Sequence, residues 1–195
     1  MKLIFADNYI ESYTDDTIRG NGVVEISLGS NEFKILNLDD TLFEKFVFIE
    51  NQYSLENGIN KIIARKFIPN EDFFSLTFDA DFFKVDDKFI FIYVNERLKK
   101  IEKSKYIVEY SDWLVYLKNG YVKLFKDNLL KIKTTYRNEI LEDSLNHVFS
   151  VKEIVNDNLI LVSTSTGCCK SIKDIEGEVK WRNKDKLLVD ICIID

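Results

Sequence analysis

Apolar and polar residues alternate with a period of two in stretch after stretch of this chain. That rhythm restricts it to strands whose two faces meet different surroundings. Val23-Val24-Glu25-Ile26-Ser27-Leu28 runs through Gly29-Ser30-Asn31 into Glu32-Phe33-Lys34-Ile35-Leu36-Asn37-Leu38. This reads as a β-hairpin with a glycine-containing loop. Lys45-Phe46-Val47-Phe48-Ile49-Glu50 reads as a strand covered on much of both faces. Phe73 to Phe78 alternates less cleanly and is broken by a turn at Asp79-Ala80-Asp81. A single proline, Pro69, occurs in 195 residues, so little interrupts these runs. The 15 Phe and 9 Tyr suit pleated, half-buried surfaces.

Four later stretches share one grammar, an alternating strand, a short Asp/Asn turn and an apolar strand. Phe82–Val85 meets Asp86-Asp87 and then Lys88–Val94. Tyr106–Tyr110 meets Ser111-Asp112 and then Trp113–Leu117. Val151–Val155 meets Asn156-Asp157-Asn158 and then Leu159–Val162. Val179–Trp181 meets Asn183-Lys184-Asp185 and then Leu187–Ile194. Lys118-Asn119-Gly120 predicts a hairpin into Tyr121–Phe125, because Asn and Gly both tolerate positive φ. The expected class is all-β, mainly antiparallel hairpins, either propeller-like or a sandwich or meander. At about 40 residues per blade the chain would hold about five blades. One or two short helices are expected at most. Arg137 to Phe149 carries Ile140, Leu141, Leu145 and Val148 at helical spacing. Thr41-Leu42-Phe43-Glu44 fits a capping box, and Leu55, Ile59, Ile62 and Ile63 allow a helix near 54–66.

No Pro/Gly/Ser-rich linker divides the sequence, so residues 1–195 are expected to form one β-rich domain. Three cysteines, Cys168, Cys169 and Cys192, are too few and too adjacent for a disulfide framework. The apolar run Leu3–Ala6 is too short for a signal segment and ends at Asp7, and no window approaches about 18 apolar residues. A cytoplasmic protein without membrane contact is expected.

Candidate chemistry is sparse. His147 is the only histidine, and it lacks a paired nucleophile motif. Thr166-Gly167-Cys168-Cys169-Lys170-Ser171 lacks the first glycine, and the glycine before lysine, of a phosphate-binding loop. It reads as a turn between strands. Asp79-Ala80-Asp81 lacks the third ligand and glycine of a calcium loop. No catalytic residue, metal or cofactor is expected.

Charge is more informative. The formal charge is −6. Residues 1–87 hold 17 acids against 8 bases, and residues 88–195 hold 16 against 19. Such a chain repels nucleic-acid phosphates and draws in a basic protein. The acidic turns Asp15-Asp16, Asp39-Asp40, Asp79, Asp81 and Asp86-Asp87 are the expected partner surface. Tyr9 and Tyr13, set among polar residues, are its expected aromatic anchors. Trp113 lies in an apolar run and is expected in the core. In size, acidity and lack of catalytic motifs the chain resembles the small acidic immunity proteins of bacterial toxin–immunity pairs. That resemblance is one of composition, and it implies a non-catalytic inhibitor that occludes a basic toxin such as a nuclease. Two alternatives are a propeller-like scaffold for complex assembly and a hydrolase built on paired carboxylates.

Overall fold

The computed structural model describes residues 10–27, 32–49, 52–55, 61–69, 74–82, 86–103, 107–125, 131–132, 148–163 and 176–192. Strands dominate, the sheets are almost wholly antiparallel, and one short helix is present among the described residues. The all-β expectation therefore holds. The described residues fall into two compact units, one drawn from 1–15 and 19–112, the other from 16–18 and 113–195.

The first unit contains β1 (Ile10–Ser12), β2 (Gly22–Ser27), β3 (Glu32–Leu36), β4 (Leu42–Ile49), β5 (Gln52–Leu55) and β6 (Ile62–Ala64). It continues with β7 (Lys66–Pro69), β8 (Phe74–Ala80), β9 (Phe89–Val94), β10 (Arg97–Glu102) and β11 (Ile107–Asp112). A nine-stranded sheet runs in the order β11-β2-β8-β9-β10-β3-β4-β5, with β7 also beside β8. β1 and β6 form a separate parallel pair. Alternation explains the core. On β9, Ile90, Ile92 and Val94 are buried while Phe89, Phe91 and Tyr93 are half-buried. Phe33 and Phe46 sit directly opposite each other across β3 and β4, ring centroids 5.5 Å apart, and both are fully buried. Burial of one such ring stabilises by about 2–3 kcal/mol.

Turn chemistry sets the register. Asn95 and Glu96 both have positive φ (50° and 65°) and join β9 to β10 as a two-residue hairpin. Asn95 also reaches β6. Its amide N–H donates to the Ile63 carbonyl (3.2 Å), its Oδ1 accepts from the Ile63 N–H (2.6 Å), and its Nδ2 donates to the Lys61 carbonyl. Gly20, at φ 74°, packs so closely that a Cβ there would lie 2.2 Å from the Ala80 carbonyl oxygen.

Several expectations fail in this unit. β2 and β3 form no hairpin with each other; β2 lies between β11 and β8, and β3 between β10 and β4. Their apolar faces are matched by strands distant in sequence, which local patterning cannot reveal. Thr41–Glu44 starts no helix. Thr41 donates from its N–H and hydroxyl to Asp39 Oδ1 (3.1 and 2.6 Å), closing the β3–β4 loop, and Leu42 opens a strand. Around 54–66 the described residues are strands; Ile62 and Ala64 are buried with Ile63 half-buried between them, a period of two.

The second unit contains α1 (Trp113–Asn119), β12 (Tyr121–Leu124), β13 (Lys131–Ile132), β14 (Val148–Val155), β15 (Asn158–Ser163) and β16 (Glu176–Lys180). It ends with β17 (Arg182–Asn183), β18 (Lys186–Leu187) and β19 (Val189–Cys192). Its six-stranded sheet has the order β13-β16-β15-β14-β12-β19, and β17 pairs only with β18. Asn156 (φ 57°) and Asp157 turn β14 into β15, the hairpin the sequence predicts. Trp181 is buried with its ring 6.5 Å from that of Trp113.

Here too the structure corrects the sequence. Ser111-Asp112 is no turn but the end of β11. Trp113–Leu117 is helical, burying Trp113, Tyr116 and Leu117 at i, i+3, i+4 spacing, so Trp113 is a core residue as expected. Asn119-Gly120 ends that helix instead of turning a hairpin, with the Gly120 N–H donating to the Tyr116 carbonyl (3.1 Å). Nine- and six-stranded sheets replace the repeating blades of a propeller. The Arg137–Phe149 helix falls mostly outside the described residues, and its last two positions open β14. His147 and Thr166–Ser171 lie outside the described residues.

Candidate functional site

Two groupings of chemistry-bearing residues occur in the first unit. The first is internal. Asp79 lies within β8 opposite Val23 and is fully buried, so it is not a surface turn acid. A buried carboxylate needs charged or hydrogen-bonding partners, and three are supplied. Arg65 donates from Nε to Oδ1 (2.7 Å) and from Nη2 to Oδ2 (2.5 Å), and the Arg19 N–H donates to Oδ2 (2.7 Å). The Arg19 guanidinium then reaches Asp15 (2.9 Å) and Glu96 (3.3 Å) and lies 3.9 Å above the Tyr13 ring. The Tyr13 hydroxyl donates to the Tyr93 carbonyl (3.1 Å). Burial, reinforced by the Asp79 charge, pushes the Tyr13 phenol up to about 12. Burial also raises Asp79, against the opposing pull of Arg65. Tyr13, Asp15 and Asp79 are thus brought together, but as a clamp that turns inward; of the three only Asp15 is exposed.

The second grouping is concave. Asp81, Phe82, Asp86, Phe89, Ile90, Phe91, Lys103 and Tyr110 line a hollow of about 140 Å³. Asp81 and Phe82 follow β8, fixed by N–H bonds from Asp81 to the Phe91 carbonyl (3.0 Å) and from Phe82 to Asn21 Oδ1 (2.8 Å). Asp86 precedes β9 and accepts from the Lys88 and Phe89 N–H groups (2.8 and 3.1 Å). Those donors hold its carboxyl below the usual carboxylate value. Lys103 Nζ donates to the Asp86 carbonyl (2.5 Å). The Phe82 and Tyr110 rings lie 5.5 Å apart and tilted by 54°, and Tyr110 is 65% exposed. Lys88 and Lys100 place their ammonium groups 5.0 and 4.6 Å from the Phe89 ring centre.

The remaining expected residues lie elsewhere. Asp87 is exposed next to Asp86 in sequence. Asp39 and Asp40 are exposed at the β3–β4 tip, where Asp40 (φ 69°) pairs with Lys100 Nζ at 2.9 Å. Asp16 belongs to the second unit, where its carbonyl accepts from the Leu187 N–H (2.8 Å). Tyr9 lies outside the described residues. The acids are therefore distributed over several places in the fold, and Asp81 and Asp86 share a hollow. Sequence reasoning missed Phe82, Phe89, Phe91, Lys103 and Tyr110. Tyr110, between Glu109 and Ser111, had the same polar setting that singled out Tyr13.

Among the described residues no group of three His, Cys, Asp or Glu side chains is placed to hold a metal ion. None of the described helices is long and apolar enough to cross a membrane. No known protein-family model, curated protein or solved structure matches the chain.

Proposed function

We propose that the chain is a non-catalytic protein-binding module, an inhibitor of the immunity-protein kind that neutralises a basic toxin, such as a nuclease, by occluding its active site in the cytoplasm. One observation carries the reading: two acidic residues, Asp81 and Asp86, line one hollow together with Phe82, Phe89, Phe91, Tyr110 and Lys103. Carboxylates set among ring faces attract a cationic anchor side chain. At about 140 Å³ the hollow lies below the ~300 Å³ at which small-molecule sites begin, so it suits one partner side chain. The Lys88 and Phe89 N–H groups, with Lys100 and Lys103 nearby, lower the Asp86 carboxyl and keep it ionised. A carboxylate-pair hydrolase would instead need one carboxyl held up as a proton donor.

The test is co-purification with the product of the neighbouring open reading frame. Expected are a stable complex, toxicity of the neighbour expressed alone, and relief of that toxicity by co-expression. A neighbour that is harmless alone defeats the toxin–immunity reading.

A further inference from the structure

We infer that the hollow between Asp81, Phe82, Asp86 and Tyr110 takes the guanidinium of an arginine side chain. The chain shows this recognition twice on itself. In the first unit Arg19 lies 3.9 Å above the Tyr13 ring while its Nη2 meets the Asp15 carboxylate at 2.9 Å. In the second unit Arg182 lies 4.8 Å from the Trp181 ring centre while its Nε meets Asp157 at 2.7 Å. Each clamp combines an aromatic face with carboxylate, one in the case of Arg182 and two, Asp15 and Glu96, in that of Arg19. The hollow offers the same two ingredients, and among the described residues its lining holds one lysine, Lys103, and no arginine.

Geometry favours guanidinium over ammonium. The tilted Phe82–Tyr110 pair leaves the 65%-exposed Tyr110 ring accessible beside the carboxylates. A planar guanidinium is weakly hydrated, so it can stack on a ring while its in-plane N–H groups bond a carboxylate. An ammonium keeps its hydration as a compact point charge. The volume, about 140 Å³, accommodates one long side chain.

The inference deepens the binding-module reading and rests on it for its biological meaning, but the chemistry is testable alone. N-acetyl-arginine methylamide and N-acetyl-lysine methylamide are titrated into the full chain, and aromatic NMR signals of Phe82, Phe91 and Tyr110 are followed. The arginine probe is expected to shift them saturably, at least severalfold more tightly than the lysine probe. Tyr110→Ala and Asp81→Asn should each weaken it about two- to fivefold, the range of a cation–π or ion-pair contact at an exposed site. Equal affinity for both probes, or no shift at these residues, overturns the inference. Tyr110→Ala is also carried into the co-purification. If arginine fills the hollow but capture of the neighbour is unchanged, the guanidinium site stands and the hollow is not the toxin contact. If capture is lost while the probes bind equally, the contact stands and the arginine preference falls.

Discussion

Arg65 grips Asp79 through two parallel N–H···O bonds, 2.7 and 2.5 Å long, at a carboxylate with no solvent exposure. Removing one partner leaves the other's charge stranded. Arg65→Ala is expected to destabilise the first unit by about 3–5 kcal/mol, and Arg65→Met with Asp79→Leu together to recover most of it. Urea unfolding, followed by NMR signals of core residues in this unit, reads both effects. Equal losses in the single and double variants would show that the pair holds no mutual charge compensation.

Tyr13 makes the clamp sensitive to alkali. Burial pushes its phenol up to about 12, above the ordinary tyrosine value of 10.0. The folded state therefore holds its proton more tightly than the unfolded state does. The resulting stabilisation is fully present below pH 10 and is lost as pH rises through about 12. The difference in 295 nm absorbance between the native chain and Tyr13→Phe should place this phenolate last among ordinary tyrosines. A normal transition near 10 would mean that the ring is not shielded.

Gly20→Ala tests the contact with Ala80. The new Cβ meets the carbonyl oxygen at 2.2 Å on a residue at φ 74°, so thermal unfolding should show a loss of more than about 1 kcal/mol. An unchanged midpoint would mean that the segment shifts freely.

In the second unit Trp181 is almost wholly buried, with its N–H donating to the Asp157 carbonyl (2.9 Å) and its ring against Trp113. Trp181→Ala is expected to cost about 3–5 kcal/mol, with loss of the near-ultraviolet circular dichroism of the indole pair. Retention of both signals would count against this packing.

Much of the class was legible, but little of the pairing was. Alternation marked β14, apolar runs after short Asp/Asn turns marked β9 and β15, where Leu159, Ile160 and Leu161 are all buried, and Asn156-Asp157 marked its own turn. The same alternation could not say that β2 joins β8 and β11, since partners that close long loops leave no local signal. Trp113–Leu117 misled because a short apolar run fits either period; Leu114 and Val115 prove exposed, which settles the helix. Asp79 read as a turn acid because its buried partners, Arg19 and Arg65, lie 60 and 14 positions away. The hollow was half visible. Asp81 and Asp86 stood out as acids, but the aromatic wall is assembled from β9, β11 and the residue Phe82 just after β8, which only folding brings together.

Asn95 holds β6 through its side chain as well as its backbone. Its carboxamide accepts from one backbone N–H of β6 and donates to the carbonyl just before it, as a peptide unit of an adjacent strand would. A single residue at a hairpin tip thus acts as a stopper on the side of β6 that could otherwise recruit another molecule's strand. Asn95→Gly would ease the turn yet uncork that border, trading a comfortable backbone for a sticky one.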